Sequence, residues 1–253
     1  VIFEQNLMSI ALGVSLNKPI LVEGPMSCGK STLIKRLALL TGRLEPPAIM
    51  TIQISDQIDT KYLLGSYITS DIPGEFIFNF GPLLKAIRDG NWIIFEDIDS
   101  ASSELISSLV SIIESSNSAN IVGYEGKIDK FDSNFRIFFT KTLQKSESIQ
   151  SVNFTMLEKI CYKVNLQNLT KDQISDLIQK KWPNLNILLP RIVEVYENIM
   201  NFQSETKTKR LIRLRDLLKW CNRLSVYFTK NEPEETSKFA YLDAMDCFTM
   251  FSS

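Results

Sequence analysis

The run from Gly24 to Ser31 has the spacing of a phosphate-binding loop, GxxxxGK[ST]. Its glycines let successive backbone N–H groups point at a phosphate, with a helix N-terminus behind them. Lys30 is predicted to reach the β- and γ-phosphate oxygens of ATP, and the Ser31 hydroxyl to complete a Mg²⁺ shell. The residues expected to hold the nucleotide are Gly24, Pro25, Met26, Ser27, Cys28, Gly29, Lys30, Ser31 and Thr32.

Two carboxylates, Glu96 and Asp97, end an apolar run that begins at Trp92. A site of this kind needs one carboxylate near the Mg²⁺ and often a second that orients the attacking water. We assign Glu96 to the metal and both carboxylates to catalysis. In most ATPases that have a loop of this kind, the order of the two acids is Asp then Glu. Exchanging them displaces each carboxylate, and a displacement of about 1 Å can lower a catalytic rate on the order of a hundredfold. Nucleotide binding is therefore expected to tolerate the reversed order better than hydrolysis.

The elements that position these residues follow an α/β pattern. Short apolar runs alternate with helical periodicity, which is typical of a parallel sheet flanked by helices. The predicted strands are Pro19–Glu23, Ile49–Ile54, Trp92–Phe95 and Arg136–Thr140. Four helices are predicted in this region. The first ends near Leu16, the second runs from the phosphate loop to Thr41-Gly42, and the other two cover Pro82–Asp89 and Ser102–Ser115.

Two segments are predicted to form hairpins beside the sheet. Residues 74 to 80 alternate with period two, and the Ile121–Phe131 segment contains two glycines. The aromatic stripe Phe76, Phe78 and Phe80 either faces a partner or packs the hairpin against the sheet, and the sequence does not decide between these alternatives.

The pattern becomes purely helical from about Leu166. Thr170 and Gln173 form a predicted capping box, and Trp182-Pro183 ends the helix that follows. Pro190 opens the next helix, and two further helical patterns follow. The sequence therefore predicts a large nucleotide-binding domain over residues 1–165 and a small all-α domain over residues 166–253, with Trp182 and Trp220 in the core of the latter.

Composition excludes several classes of site. The chain has no histidine, four scattered cysteines and a formal net charge of −1. Zinc sites and triads that need histidine are absent, reduced thiols are expected, and no global field favours nucleic acid. We predict no direct nucleic-acid site and no membrane association. The cluster Lys207, Lys209, Arg210, Arg213 and Arg215 is interpreted as a solvated loop and helix start.

Further motifs resemble a known family. The segments Gln57–Tyr67, Gly74-Glu75-Phe76, Gly81–Ile87 and Gly90-Asn91-Trp92, together with Glu96–Asp99 and Leu214–Cys221, resemble the midasin family of dynein-related AAA+ ATPases. The likeness covers nearly the whole chain and is strongest to the first AAA+ module of that family. It is looser to MoxR-type ATPases.

The resemblance implies a three-layer αβα P-loop domain with a helix-2 insert hairpin near residues 67–80 and a helical lid. It also implies partners and a place in the cell. Six such modules in one polypeptide would close into a ring, which uses ATP to release assembly factors from precursors of the large ribosomal subunit. The implied compartment is the nucleus, including nucleolus and nucleoplasm, and the abrupt start and end of the chain indicate a piece of a longer polypeptide.

The family's remaining functional residues transfer unevenly. Sensor 1, usually a polar residue such as Asn, falls at Thr142, and sensor 2 falls at Arg215. The arginine finger that one module offers its neighbour falls at Lys159, which lacks the planar guanidinium fork. Three hypotheses follow: a motor module that hydrolyses ATP, a nucleotide-holding ring segment with little turnover, and a MoxR-type chaperone.

Overall fold

The chain divides into two compact units, one of residues 1–25 and 29–167 and the other of residues 26–28 and 168–253. The computed structural model describes residues 2–70, 72, 74–115, 119–120, 127–128, 131–143, 152–205, 212–227 and 233–249.

A parallel sheet forms the centre of the first unit. Its strands, in chain order, are β1 (Ile20–Gly24), β2 (Ile49–Gln53), β5 (Trp92–Glu96), β8 (Arg136–Thr142) and β9 (Tyr162–Asn165). Their spatial order is β2-β5-β8-β1-β9. The inner strands β1, β5 and β8 are almost wholly buried, and β1 and β5 begin with continuous apolar runs, as is typical of strands covered on both faces.

Helices flank this sheet. They are α1 (Ile2–Ser15), α2 (Lys30–Leu40), α3 (Thr60–Leu64), α4 (Pro82–Asp89), α5 (Ser103–Glu114) and α6 (Val152–Ile160). Helices α3 to α6 pack with Leu21, Phe95 and Phe139 in one core cluster. Strand residues that alternate with these point to the opposite face, where α2 contacts β1, β5 and β8. The predicted α/β sandwich with its parallel sheet is confirmed.

A two-stranded hairpin of β3 (Gly65–Thr69) and β4 (Phe76–Phe80) stands apart from the sheet. The three phenylalanines of β4 differ in exposure. Phe78 and Phe80 are half-buried against the core of the first unit, whereas Phe76 is 67% exposed. The stripe therefore divides, with its inner two rings packing and the outer ring facing solvent.

A second, shorter hairpin pairs β6 (Ala119–Asn120) with β7 (Lys127–Ile128). The hairpin predicted over Ile121–Phe131 falls mainly on residues 121–126 and 129–130, which lie outside the described residues.

The second unit is helical. It contains α7 (Lys171–Lys181), α8 (Leu189–Glu205), α9 (Leu214–Tyr227) and α10 (Pro233–Thr249). Its core holds Trp182 and Trp220, as predicted, and the Trp220 indole N–H donates to the Ala240 carbonyl at 3.1 Å. The predicted capping box is present, since the Gln173 side chain accepts from the Thr170 N–H at 3.0 Å.

The sequence patterns did not predict helices α3 and α6 or the edge strand β9 of the first unit. None of the helices within the described part of the chain has the length and apolar character needed to cross a membrane.

Candidate nucleotide-binding site

The predicted phosphate loop joins the inner strand β1 to helix α2. Because the strands of the sheet are parallel, their carboxyl ends share one edge. Asp97 after β5 and Thr142 at the end of β8 lie at that same edge, and Thr142 is the register partner of Gly24. The fold thus brings the predicted loop, carboxylates and sensor to the edge where open α/β sheets bind ligands.

The loop backbone has the curl that an anion site requires. Ser27 and Gly29 adopt left-handed conformations, with φ of 64° and 94°. Gly29 is the N-cap of α2 and has no side chain to occupy the first-turn N–H groups, so these donors are available to an oxyanion. Ser31 is half-buried and Thr32 is exposed in this first turn.

Lys30 is buried, with 8% of its surface exposed. Its ammonium donates to the backbone carbonyls of Gly24 at 3.0 Å and Pro25 at 2.9 Å. These acceptors are neutral, and a charged phosphate oxygen forms a stronger hydrogen bond with an ammonium. The loop therefore holds a buried cation against two of its own carbonyls, which fits the triphosphate of a nucleotide.

The two carboxylates have different surroundings. Glu96 is the half-buried last residue of β5. Asp97 has φ of 54°, and its carboxylate accepts hydrogen bonds from the Gln53 amide at 2.6 Å and the Thr142 hydroxyl at 3.3 Å. The Asp97 N–H donates to the Thr140 hydroxyl at 3.1 Å. Asp97 is thus held by the ends of β2 and β8, whereas the role of Glu96 as a metal ligand stays a prediction.

Sequence reasoning identified Thr142 but missed Gln53 and Thr140. Both lie at or near the carboxyl ends of neighbouring strands. A search for polar residues at the ends of the predicted strands could therefore have found them. Their contacts with Asp97 span more than forty positions in sequence, 44 for Gln53 and 43 for Thr140, so strand order was needed to see them.

Comparison with known families agrees with this geometry. The profile of the AAA domain of the dynein-related subfamily matches residues 19–173, and the midasin AAA lid domain matches residues 173–253. The chain belongs to the dynein-related AAA family, as a midasin-type AAA+ module.

Individual relatives support the same assignment. The midasin of Dictyostelium discoideum is 35% identical over 196 residues, which cover 78% of this chain and 3% of the relative. The midasin of Giardia intestinalis is 22% identical over 226 residues, which cover 86% of this chain and 5% of the relative. The chain therefore spans only a few per cent of the length of these proteins.

A solved structure shares the fold. NtrX from Brucella abortus, in complex with ATP, superposes with a TM-score of 0.58 at 16% identity, over 91% of this chain and 52% of that chain. At this identity the likeness speaks for the fold alone.

Two residues transferred by resemblance remain predictions in this midasin-type module. Arg215, the predicted sensor 2, is exposed in the first turn of α9 in the helical unit. Lys159, at the arginine-finger position, is exposed in the last turn of α6. Of the basic cluster around Arg215, Lys207, Lys209 and Arg210 lie outside the described residues.

An ionic cluster, unnoticed in the sequence, adjoins the site. It consists of the buried Glu23 and Lys141, the half-buried Glu158 and the exposed Lys163. The Lys141 ammonium lies 2.7 Å from Glu158 Oε1 and 3.5 Å from Glu23 Oε1, while Lys163 lies 3.0 Å from Glu158 Oε2. Lys141 also sits over the Phe154 ring at 4.4 Å. Lysine and glutamate are rarely buried unless paired, so these pairings explain how the module accommodates the charges.

Charges within the cluster shift the pKa of Glu158. Burial raises that pKa, and hydrogen bonds and attraction from Lys141 and Lys163 lower it by more, so the net pKa lies below its ordinary value. Glu158 is consequently ionised at neutral pH and holds both lysines.

Proposed function

We propose that this chain binds Mg²⁺-ATP on the loop from Gly24 to Ser31 and acts as one module of a ring-forming, midasin-like ATPase. The observation that carries the proposal is the buried Lys30 ammonium, held at the loop mouth by two neutral carbonyls. Membership of the AAA+ family supports nucleotide as the ligand.

The residues around the loop fit a magnesium nucleotide. The Ser31 hydroxyl and the Glu96 carboxylate are the oxygen donors proposed to hold Mg²⁺, whose preference is for such ligands. The ion, when bound, offsets negative charge that develops on the phosphates. Among the described residues there is no cluster of three or more His, Cys, Asp or Glu that could hold a metal by itself.

Asp97 is proposed to orient the water that attacks the γ-phosphate. Gln53 and Thr142 fix its carboxylate, so its position is set before substrate arrives. Arg215 is proposed to act as sensor 2, and Lys159 to face the neighbouring module.

A second candidate function is a nucleotide-holding ring segment with little hydrolysis. The exposed Lys159 favours it, because an ammonium replaces the guanidinium fork that would stabilise the transferring phosphate of a neighbour. The match to the midasin lid over residues 173–253 argues against the MoxR-type alternative.

Calorimetry with ATP and ADP in the presence of Mg²⁺ tests the binding proposal. Lys30→Ala is expected to weaken binding by about ten- to a hundredfold, the effect of losing a hydrogen bond to a charged group. Lys35→Ala is the matched control, since Lys35 is exposed on the same helix. Equal affinities for wild type and Lys30→Ala would overturn the proposal. ATP turnover by an assembled ring carrying Glu96→Gln or Asp97→Asn then separates the motor from the holding segment.

The cellular role is proposed as release of assembly factors from precursors of the large ribosomal subunit, by a ring of neighbouring modules in the nucleus. The similarity to proteins named midasin ties the chain to the family whose resemblance implies this role. Placing the module first in its ring is part of the same proposal. Replacing Lys30 by Ala in the full-length protein is expected to leave precursor particles with their assembly factors bound, and normal particle maturation would contradict it.

A further inference from the structure

The cross-strand pair Glu23 and Lys141 lies directly beside the residues that handle phosphate. The two are register partners on β1 and β8. Glu23 immediately precedes Gly24, whose carbonyl accepts Lys30, and Lys141 lies between Thr140 and Thr142, which both contact Asp97. Alternation along β8 directs Lys141 to the face opposite these threonines, toward α6.

Helix α6 is tied to this pair through Glu158. One Glu158 oxygen accepts from Lys141 on β8 and the other from Lys163 on β9. The adjacent residue is the exposed Lys159. The last turn of α6 is therefore connected, through Glu158 and Lys141, to the strand that holds Asp97.

The Lys141 ammonium has two carboxylates within reach at unequal distances, 2.7 Å to Glu158 and 3.5 Å to Glu23. Both carboxylates compete for the same ammonium. A lysine shared between two carboxylates can pair more closely with either, and an element of this kind couples two sites when each site favours a different pairing.

Binding of a phosphate would change the hydrogen bonds next to Glu23, one of the two carboxylates near Lys141. The Gly24 carbonyl accepts both the Lys30 ammonium and the Leu143 N–H, the latter at 3.1 Å. When Lys30 turns to a phosphate oxygen, this carbonyl loses one of its two donors. This change in hydrogen bonding affects Gly24, which follows Glu23 on β1, and Leu143, which lies two residues after Lys141.

We propose that Lys141 is a positioning residue that conveys occupancy of the phosphate loop to the last turn of α6 by shifting its ammonium between Glu158 and Glu23. The inference rests on the proposed nucleotide binding at Gly24–Ser31. It makes the surface around Lys159 differ between the empty and the nucleotide-bound module.

Amide hydrogen exchange of residues 157–160, measured with and without Mg²⁺-ATP, tests this coupling. Wild type is expected to change its exchange in α6 on binding. Glu158→Gln removes the carboxylate that holds Lys141, and is expected to reduce that change by at least about fivefold. Its ATP affinity should stay within about threefold of wild type, since Glu158 does not touch the loop.

Lys163→Met is the matched control. It removes the other cation on the same carboxylate but leaves the link to β8, so it should keep the wild-type response. If Glu158→Gln does not fold, the double variant Lys141→Met/Glu158→Met replaces both charges with apolar groups and is expected to lose the response too.

Each outcome has a defined meaning. ATP binding without any change in α6, or a change that survives in Glu158→Gln, overturns the coupling and leaves the proposed function intact. Loss of the response in Lys163→Met also overturns it, because α6 packing would then be the cause. If wild type binds no ATP, both the proposed function and the coupling fail.

Discussion

The Asp97 carboxylate lies 2.6 Å from the Gln53 amide nitrogen, which donates to it from the end of the neighbouring strand β2. The Thr142 hydroxyl donates to the other oxygen at 3.3 Å. Asp97 thus arrives at the site with protein donors on both oxygens. Glu96 precedes it at the half-buried end of β5. The reversed order of the two acids consequently assigns the constrained position to Asp97.

This difference predicts which carboxylate responds to magnesium. Glu96→Gln is expected to remove most of the gain in ATP affinity that Mg²⁺ provides, because a neutral amide is a poorer ligand for a hard cation. Asp97→Asn should retain that gain. Calorimetry with Mg²⁺ and with a chelator measures it for each variant. The assignment would be reversed if Asp97→Asn, and not Glu96→Gln, lost the magnesium effect.

The fold was predictable where local pattern and burial agree. The continuous apolar runs of β1 and β5 and the bounds of α4 could be read directly, since inner parallel strands are buried on both faces. Edge strand β9, with the sequence Tyr-Lys-Val-Asn, buries only Val164 fully. Its identity as a strand depends on pairing with β1, which no local pattern contains.

The site residues also fall into a predictable and an unpredictable group. The phosphate loop is a contiguous motif, so spacing alone located it. Gln53 and Lys141 act through partners on other elements, 44 positions away for Asp97 and 17 for Glu158. A lone Gln and a lone Lys have no distinguishing sequence signal, and only the strand order brings them to their partners.

The ionic cluster predicts a dependence of stability on acid. The pKa of Glu158 in the folded chain lies below its ordinary value of 4.5, so its contribution to the free energy of unfolding is present above that pH. It is lost as the pH falls from there through the lower, folded-state pKa. Denaturant unfolding between pH 6 and 3, on the order of half a unit per step, is expected to show a smaller loss of stability for Glu158→Gln than for wild type. Parallel curves for the two proteins would contradict this.

The junction of helix α3 and the hairpin predicts a strong effect at one glycine. Gly65 has φ of 114°, and a Cβ there would overlap the Asn79 carbonyl and lie 2.7 Å from the Gly81 nitrogen. Gly65→Ala combines left-handed strain with a backbone clash and should cost about 2–4 kcal/mol. The matched variant is Gly74→Ala, where φ is 89° and a Cβ would meet no described atom within 4 Å beyond its chain neighbours, so only the strain of about 1 kcal/mol applies. Thermal unfolding of both variants measures the difference between their losses of stability. Equal losses would show that the backbone moves to relieve the clash at position 65.

The four cysteines predict an order of chemical reactivity. Burial raises the pKa of Cys161 and of Cys221 to about 12, and burial likewise raises that of Cys247. At pH 8 about one in ten thousand of the Cys161 and Cys221 thiols is the reactive thiolate. Cys28 lies half-buried in the phosphate loop. Alkylation of the native chain, followed by mass spectrometry, is therefore expected to modify Cys28 first.

Nucleotide binding should change the alkylation rate of Cys28 and of no other cysteine. ATP on the loop covers Cys28 and is expected to slow its alkylation, while Cys161 and Cys221 stay as slow as before. Alkylation in denaturant is the control, since all four thiols should then react at similar rates because burial is removed. Protection of Cys28 that persists in Lys30→Ala would show that ATP still occupies the loop, and would contradict the expected loss of binding in this variant. Equal rates for Cys28 and Cys161 in the native chain would contradict the raised pKa of the Cys161 thiol.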